Sequence, residues 1–289
     1  MGPILFDWTR DTVLRFYEEA AGLPVERVYV GETICVKKLG LALKDMETVI
    51  NGLTAAGKKV TLSTLAVISN EDELQYTREL CSLHDSIEAN DMAVLNMAET
   101  AGKEVFAGPH ITSYNAPSVE FLKGVGVTQV CFPVELPKES IAYAIKHTGV
   151  EAEVFAHGKL PLAFSWRCYT SRAYGLTKTE CRHHCTKFPD GMEIKTLDGK
   201  PLFTVNGTSI LSADTHTLVE STEELGAMGV KAVRISPQHK DTAKVVEVFR
   251  RRINGETGGK EGLEEIKTIC RDNLCNGWYQ SKAGKDYAA

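Results

Sequence analysis

The sequence predicts an α/β protein whose sheet forms a (β/α)8 barrel of the TIM type. Short apolar, β-branched runs recur along the chain, and segments with a helical period separate them. Runs such as Val28-Tyr29-Val30 show little polar alternation, as expected of parallel strands that are covered on both faces. Eight runs with interleaved helices in about 250 residues match the repeat of such a barrel. A doubly wound open sheet is the alternative.

The eight strand candidates share this apolar, β-branched character. They are Pro3–Phe6, Arg27–Val30, Lys59–Thr64, Ala93–Asn96, Val105–Ala107, Gln129–Phe132, Glu153–Ala156 and Ala232–Ile235. No Gly-x-Gly-x-x-Gly follows a strand candidate and no Walker-type loop is present, so the sequence gives nucleotide binding little support.

Helices are predicted where apolar residues recur three and four positions apart. The first helix ends at Gly22 and Pro24, and three later helices end before Gly57, Gly149 and Gly255. Their apolar faces are Val13, Phe16, Tyr17 and Ala20; Met46, Val49, Ile50 and Leu53; Ile141, Ala144, Ile145 and Thr148; and Val245, Val246, Phe249 and Ile253. Each face is expected to pack on the sheet.

The alternating pattern breaks between about residues 166 and 206, where turn signals replace helical periodicity. We interpret this segment as a cysteine-bearing insertion near the C-terminal rim of a barrel domain that spans residues 1–254. Residues 255–289 are rich in glycine and lysine at both ends and are expected to form a cap or tail.

Composition excludes several classes of protein. The 289-residue chain carries a net charge of −5, and its basic residues are scattered, which does not favour nucleic-acid binding. No apolar stretch approaches the roughly 20 residues of a membrane span, and no signal-type start is visible, so we expect a cytoplasmic protein. In a reducing compartment its eight cysteines would be core residues, redox thiols or metal ligands rather than disulfides.

Three cysteines in the insertion form half of a metal site. Cys181 and Cys185 are separated by three residues, and Cys168 lies upstream in the same polar, turn-rich segment. Thiolates on such turns converge on zinc or on an iron–sulfur cluster. The neighbouring His183 and His184 could complete a zinc site, whereas a cluster needs a fourth ligand from elsewhere.

The remaining five cysteines supply candidates for that fourth ligand. Cys81 lies in a helix and Cys131 in a strand, so both are expected to be packing residues. Cys35 follows the second strand candidate, at the rim where barrels hold their chemistry. Cys275 is the next candidate after Cys35, with Cys270 close to it. Spacing alone leaves the choice between Cys35 and Cys275 open.

Polar residues follow many of the strand candidates and predict a polar pocket at that rim. They are Ser63, Thr64, Asn96, His110, Tyr114, Asn115, Glu135, His157, Ser236 and Gln238. No Ser–His–Asp order, nucleophile elbow or His-Glu-x-x-His helix is present, so peptidase activity is not expected.

Several of these segments together resemble the collagenase-like peptidase family of U32 type, over nearly the whole chain to about Trp278. They are Gly31–Cys35, Asn96-Met97, Pro133–Leu136, His157–Ala163, Arg167-Cys168, Cys181–Cys185 and Cys275–Trp278. Many relatives have a cysteine at the position of Pro161 and another near positions 206–212. This chain lacks both, which makes it similar to the UbiV-type branch of the family.

The resemblance implies a barrel-type domain and a role in oxygen-independent ubiquinone biosynthesis. It implies a [4Fe-4S] cluster on Cys35, Cys168, Cys181 and Cys185, and thereby favours Cys35 over Cys275. It also implies a heterodimer with a paralogous UbiU-type subunit, a sterol-carrier-like UbiT-type protein in the same pathway, a ubiquinone precursor as substrate, and prephenate as a candidate oxygen donor. A zinc-stapled binding protein and a peptidase are the alternatives.

No catalytic residue is predicted beyond four candidate pocket residues. These are His110, Glu135, His157 and Arg167. Whether this subunit performs the chemistry or supports its partner is left open by the sequence.

Overall fold

A parallel sheet surrounded by helices forms the centre of the protein. The computed structural model describes residues 1–38, 40–97 and 100–288. Within these ranges the strands are β1 (Arg27–Gly31), β2 (Lys59–Ser63), β3 (Ser86–Ala89), β4 (Glu104–Ala107), β5 (Val127–Cys131), β6 (Glu151–Phe164), β7 (Met192–Lys195), β8 (Pro201–Asn206), β9 (Ser209–Thr217), β10 (Val230–Ile235) and β11 (Leu274–Cys275).

The first helix precedes β1, and the other helices lie in the connections between strands. The helices are α1 (Arg10–Gly22), α2 (Leu43–Ala55), α3 (Glu71–Ser82), α4 (Ala116–Gly124), α5 (Lys138–Thr148), α6 (Tyr169–Ala173), α7 (Thr222–Ala227), α8 (Thr242–Ile253) and α9 (Gly259–Ile269). Local chemistry sets several of their ends. Asn115 caps α4 by accepting the Ser118 N–H, and Gly149 ends α5 in a left-handed conformation.

The parallel part of the sheet runs in chain order, β1-β2-β3-β4-β5-β6, with β10 paired to the other side of β6. A doubly wound sheet would reverse its strand order, and no such reversal occurs here. The N-terminal segment joins the two ends of this sheet. The Gly2 N–H donates to the Ile235 carbonyl of β10, and the Tyr29 N–H of β1 donates to the Met1 carbonyl. The sheet is therefore curled.

The α/β class is confirmed, but an eight-stranded closed sheet is not what the described residues form. Pro3–Phe6 is not a strand, so the central parallel part of the sheet has seven strands among the described residues, β1 to β6 and β10. The strand predicted at Ala93–Asn96 is wrong, because Met92–Asn96 is a 3-10 helix that Asp91 caps through the Ala93 N–H. The strand of this repeat is instead β3, which the sequence prediction missed.

The insertion begins where β6 leaves the parallel sheet. From His157 onward β6 pairs with β9 in antiparallel fashion, and β9, β8 and β7 form a meander beside the sheet. Between β6 and β7 lie the short helix α6, which Cys168 precedes, and a 3-10 helix, His184–Lys187, which contains Cys185; Cys181 lies between the two helices. The insertion is thus an extension of the sheet as well as a loop.

The C-terminal segment packs on this framework, apart from residue 289, which lies outside the described residues. Helix α9 lies against α8, and β11 pairs with β9 in parallel. The Asn276 side chain bonds the backbone of Ala288 through both its donor and its acceptor. None of the described helices combines the length and the apolar character required to cross a membrane.

Candidate functional site

Cys35 lies in a tight turn directly after β1. The turn begins at Gly31, whose φ of 138° and close approach to the Ser63 carbonyl leave no room for a side chain. Glu32 then folds back, and its carboxylate accepts the N–H groups of Ile34 and Cys35 at 2.7 and 3.2 Å. The turn therefore holds Cys35 close to the carboxyl end of β1.

Cys168 lies at the N-terminus of α6, beyond the end of β6. Its sulfur accepts the Ser171 N–H at 3.3 Å and so caps the helix. The next residue, Tyr169, donates its N–H to the Gly207 carbonyl in the β8–β9 turn. Thr208 of the same turn donates its hydroxyl to the Ile34 carbonyl. The β8–β9 turn thus connects the Cys168 segment to the Cys35 turn.

Cys181 and Cys185 lie on either side of His183, which adopts a left-handed conformation with φ of 53°. The Cys181 sulfur accepts the His183 N–H at 3.4 Å. The Cys185 thiol donates to the carboxylate of Asp7, a fully buried residue, at 2.7 Å. Burial, followed by this carboxylate, raises the pKa of the Cys185 thiol. Asp7 is a partner that the sequence did not reveal.

Lys38 adds a buried positive charge to the Cys35 turn. Its side chain is 6% exposed, and its ammonium lies 3.0 Å from the Glu32 carboxylate. Burial raises the pKa of Cys35 and of Cys185, and the Lys38 charge opposes the increase at both thiols. Lys37 adds a second link, since its ammonium donates to the Lys178 carbonyl at 3.1 Å. The Cys35 turn and the insertion therefore share one surface.

The donors fit a thiolate-ligated cluster in their chemistry. Four half-buried cysteines lie on three connected segments, and cysteine thiolates are the usual ligands of iron–sulfur clusters. They are not preassembled. Among the described residues, no group of three or more His, Cys, Asp or Glu side chains stands ready to hold a metal ion.

A cavity of about 500 Å³, here called the Cys168 cavity, opens beside this sulfur. Its wall carries the exposed indole of Trp166 and the exposed guanidinium of Arg167, one of the candidate pocket residues. The ammonium of Lys178 lies over the Trp166 ring at 5.6 Å and pairs with Glu73 of α3 at 3.4 Å. The cavity therefore combines an aromatic surface with positive charge.

The other candidate pocket residues lie elsewhere. His157 is buried and lines a separate cavity of about 310 Å³, here called the His157 cavity. His110 packs edge-on against Phe164 at 4.6 Å, and burial lowers its pKa to about 3. Glu135 is exposed and accepts the Tyr114 hydroxyl. In the described part of the chain, His157, Arg167 and Glu135 therefore do not share a cavity.

The remaining cysteines lie in packed surroundings or face the His157 cavity. Cys275 is fully buried and packs with Phe155 and Leu160. Cys81 and Cys131 are buried as well, as the sequence predicts. Cys270 is half-buried and lines the His157 cavity.

A buried ion network inside the sheet was missed at the sequence level. The Arg234 guanidinium of β10 bonds the Glu153 carboxylate at 2.9 Å through two nitrogens and pairs with Glu88 of β3 at 2.5 Å. Tyr29 donates its hydroxyl to Glu153 at 2.6 Å, and Gln129 adds a fourth donor. The sequence does contain one indication of this network, because charged residues occur inside otherwise apolar strands.

Comparison with known proteins adds a family match. The profile of peptidase family U32 matches residues 16–288. A curated protein of Escherichia coli K12, 23S rRNA 5-hydroxycytidine C2501 synthase, is 26% identical over 222 residues, which is 72% of this chain and 32% of that protein. The chain thus spans about a third of this relative's length.

Solved structures give weaker similarities. Thiamine phosphate pyrophosphorylase from Pyrococcus furiosus superposes with a TM-score of 0.46 at 10% identity, covering 89% of this chain and 96% of that one. N-acetylneuraminate lyase from Fusobacterium nucleatum gives 0.37 at 10% identity, covering 92% and 79%. At these scores neither superposition establishes a shared activity.

Proposed function

The chain belongs to peptidase family U32, and from that membership we propose that it is a UbiV-type iron–sulfur subunit of a dioxygen-independent hydroxylase. Its substrate would be the ring of a ubiquinone precursor, and its cluster a [4Fe-4S] centre on Cys35, Cys168, Cys181 and Cys185. A paralogous UbiU-type subunit would complete a heterodimer, a UbiT-type protein would act in the same pathway, and prephenate is the candidate oxygen donor.

The contact between the Cys35 turn and the cysteine-bearing insertion is the observation that carries this proposal. The Thr208 hydroxyl donates to the Ile34 carbonyl next to Cys35, and the Lys37 ammonium donates to the Lys178 carbonyl between Cys168 and Cys181. These contacts join the Cys35 turn to the segment that carries the other three candidate ligands, as a cluster bound by all four thiolates requires. When bound, a cluster supplies one-electron redox chemistry.

Hydroxylation is supported by the Escherichia coli relative, whose name describes a 5-hydroxycytidine product in ribosomal RNA. A small-molecule substrate, rather than RNA, is supported by the net charge of −5, because RNA binding normally requires positive surface charge. The chain covers only a third of that relative, so the relative's RNA substrate is not carried over to this chain.

The Cys168 cavity is the proposed binding place for the substrate ring. An aromatic ring can stack on the exposed Trp166 indole, and Arg167 can bond an acidic or phenolic oxygen on that ring. These residues would orient the ring beside the cluster and exclude part of the solvent. Neither residue moves a proton in this proposal.

Zinc is a second candidate because of one observation. The Nδ1 atom of His184 is buried and has no hydrogen-bond partner among the described residues, and its ring stacks on Tyr174 at 3.9 Å. A zinc site on Cys181, Cys185 and His184 would use that nitrogen. His184→Ala would then release the metal, whereas a four-cysteine cluster would survive this change.

Growth without dioxygen tests the proposal. Cells that lack this chain are expected to stop making ubiquinone under anaerobic conditions and to accumulate precursors that miss a ring hydroxyl. The wild-type chain should restore ubiquinone, and Cys185→Ser should not. Normal anaerobic ubiquinone levels in the deletion strain would contradict the proposed function.

A further inference from the structure

A further cavity of about 630 Å³, here called the Asp91 cavity, lies at the carboxyl ends of β3 and β4. Asp91 lies just after β3, and His110 lies just after β4. Ala66, beyond the end of β2, lines the same cavity and donates its N–H to the Thr33 carbonyl in the Cys35 turn. Barrel-type proteins bind ligands at this rim, and small-molecule sites have volumes of this order. Position and size therefore make the Asp91 cavity a candidate binding site.

The carboxylate of Asp91 has no positively charged partner within the described ranges. Its two oxygens accept the N–H groups of Ile68 and Ala93 at 3.1 and 2.9 Å, which leaves each oxygen with further capacity to accept. Asp91 is half-buried and lines the cavity. A carboxylate that lacks a counter-ion at a cavity wall attracts a positively charged donor, because such charge-assisted hydrogen bonds are the strong ones.

The rest of the lining contains no charge that would oppose a cation. In the part of the chain that the structure describes, no lysine or arginine lines the Asp91 cavity. His110 is neutral, because burial, followed by the Arg234 charge, lowers its pKa to about 3. Helix α4 begins at this cavity, but Pro117 has no N–H and the Ser118 N–H is already bonded by the helix cap. The lining therefore carries a single charge, which is negative.

Two large apolar side chains are exposed in the same lining. Met92 is 50% exposed, and Phe121 of α4 is 58% exposed. Ile111 and Leu122 add buried apolar surface. A phenyl ring attracts a cation to its face, and both exposed side chains would gain stability if an apolar group covered them. The lining thus suits a ligand that is positively charged at one end and apolar at the other.

We infer that the Asp91 cavity binds a small primary amine with an apolar body. The ammonium of the ligand donates to the Asp91 carboxylate, and its body packs on Met92 and Phe121. This site goes beyond the proposed function, because no candidate cluster ligand lines it and its cationic ligand differs in charge from the acidic or phenolic ring proposed for the Cys168 cavity.

Calorimetry with four related probes at neutral pH tests the inference on the full chain. Phenethylammonium carries both the charge and the apolar body, phenethyl alcohol lacks the charge, ethylammonium lacks the ring, and hydrocinnamate has a carboxylate in place of the ammonium. Phenethylammonium is expected to bind about tenfold more tightly than the alcohol or ethylammonium, since each of these loses one contact, and hydrocinnamate should bind most weakly. No binding of phenethylammonium, or equal affinities for it and the alcohol, would overturn the inference.

Matched carboxylate variants locate the bound ammonium. Asp91→Asn keeps a side-chain oxygen for the Ala93 N–H and removes the charge, so it should weaken phenethylammonium about tenfold and leave phenethyl alcohol unchanged. Glu120→Gln removes an exposed carboxylate of α4 that does not line the cavity, and it should change neither affinity. Equal weakening of phenethylammonium by both variants would overturn the site, because the attraction would then come from general surface charge.

A second pair of variants tests the apolar contact. Phe121→Ala should weaken phenethylammonium and phenethyl alcohol alike, by about fivefold. Tyr143→Ala removes a ring of α5 that is 57% exposed and lies outside the cavity, so it should weaken neither probe. Because Phe121 is exposed, its removal should leave the fold intact, which melting temperatures check, and the test holds even if Asp91→Asn does not fold. Unchanged affinities in Phe121→Ala would reject the Asp91 cavity as the binding site.

Discussion

At the scale of single residues, the cysteines were predictable and their neighbours were not. The spacing of Cys181 and Cys185 is visible in the sequence, and each cysteine has a recognisable context. Asp7, which accepts the Cys185 thiol, lies 178 positions away. Lys38 is one of 33 basic residues and carries no local signal of burial. Such partners become visible only when the fold brings distant loops together.

Single cysteine changes test the ligand set. Cys35→Ser and Cys185→Ser are expected to remove most of the iron from anaerobically purified protein, because each takes away one of four thiolates. Cys81→Ala should leave the iron content unchanged and cost on the order of 1 kcal/mol of folding stability, since it shortens a buried side chain. Iron measured per chain decides between these outcomes. Iron retention in Cys35→Ser would reject Cys35 as a ligand.

The buried ion network predicts an acid-sensitive fold. Burial would raise the pKa of Glu153, but the Arg234 charge and hydrogen bonds outweigh burial and hold it below its ordinary value of 4.5. A carboxyl group with a lowered pKa stabilises the fold above its unfolded-state pKa, and this contribution is lost as pH falls through the folded-state pKa. The free energy of unfolding should therefore decrease below about pH 4.5.

Glu153→Gln tests this network directly. This change removes a carboxylate charge that compensates the buried Arg234 guanidinium. The free energy of unfolding at neutral pH should therefore fall by about 3 kcal/mol, and its decrease at acid pH should become shallower. Glu26→Gln is the control, because Glu26 forms an exposed pair with Arg250 and should cost about 0–1 kcal/mol. Urea titrations at several pH values measure both. If the free energy of unfolding of Glu153→Gln decreased at acid pH as steeply as that of the wild type, the acid sensitivity could not be attributed to Glu153.

At the scale of elements, strong periodicity was a good guide and short polar strands were not. Helices α1, α2, α5 and α8 lie where apolar spacing places them. Strand β3 was missed because its sequence, Ser-Ile-Glu-Ala, has a carboxylate at its centre. Glu88 is tolerated there because Arg234 and Ser63 bond it inside the sheet. A tertiary contact thus overrode the local pattern.

The start of α3 offers a prediction at this scale. Asn70 caps the helix by accepting the Glu73 N–H at 2.9 Å, while Glu73 accepts the Ser69 N–H at 2.8 Å. Asn70→Ala should therefore cost about 1 kcal/mol in urea unfolding. Asn254→Ala at the exposed end of α8 removes no N-cap and should cost under about 0.5 kcal/mol. Equal effects would show that capping does not explain the Asn70 contribution.

At the scale of the whole molecule, the sequence predicted the α/β class and misjudged the closure. The central parallel part of the sheet has seven strands among the described residues, and the N-terminal segment bonds both of its ends without forming a strand. The N-terminal segment forms only a few backbone hydrogen bonds with β1 and β10. These bonds depend on how closely the two ends of the sheet approach each other, which apolar runs alone do not specify. The long β6 contributes His157 to one cavity and leads into the Cys168 segment, so one strand connects the two cavities.

This U32 chain is proposed to hold an iron–sulfur cluster on Cys35, Cys168, Cys181 and Cys185. Anaerobic purification followed by iron, sulfide and zinc analysis of the wild-type chain tests it most directly. About four iron and four sulfide per chain are expected, with the broad visible absorption of a [4Fe-4S] centre. A colourless protein that holds only zinc after anaerobic reconstitution with iron and sulfide would contradict it.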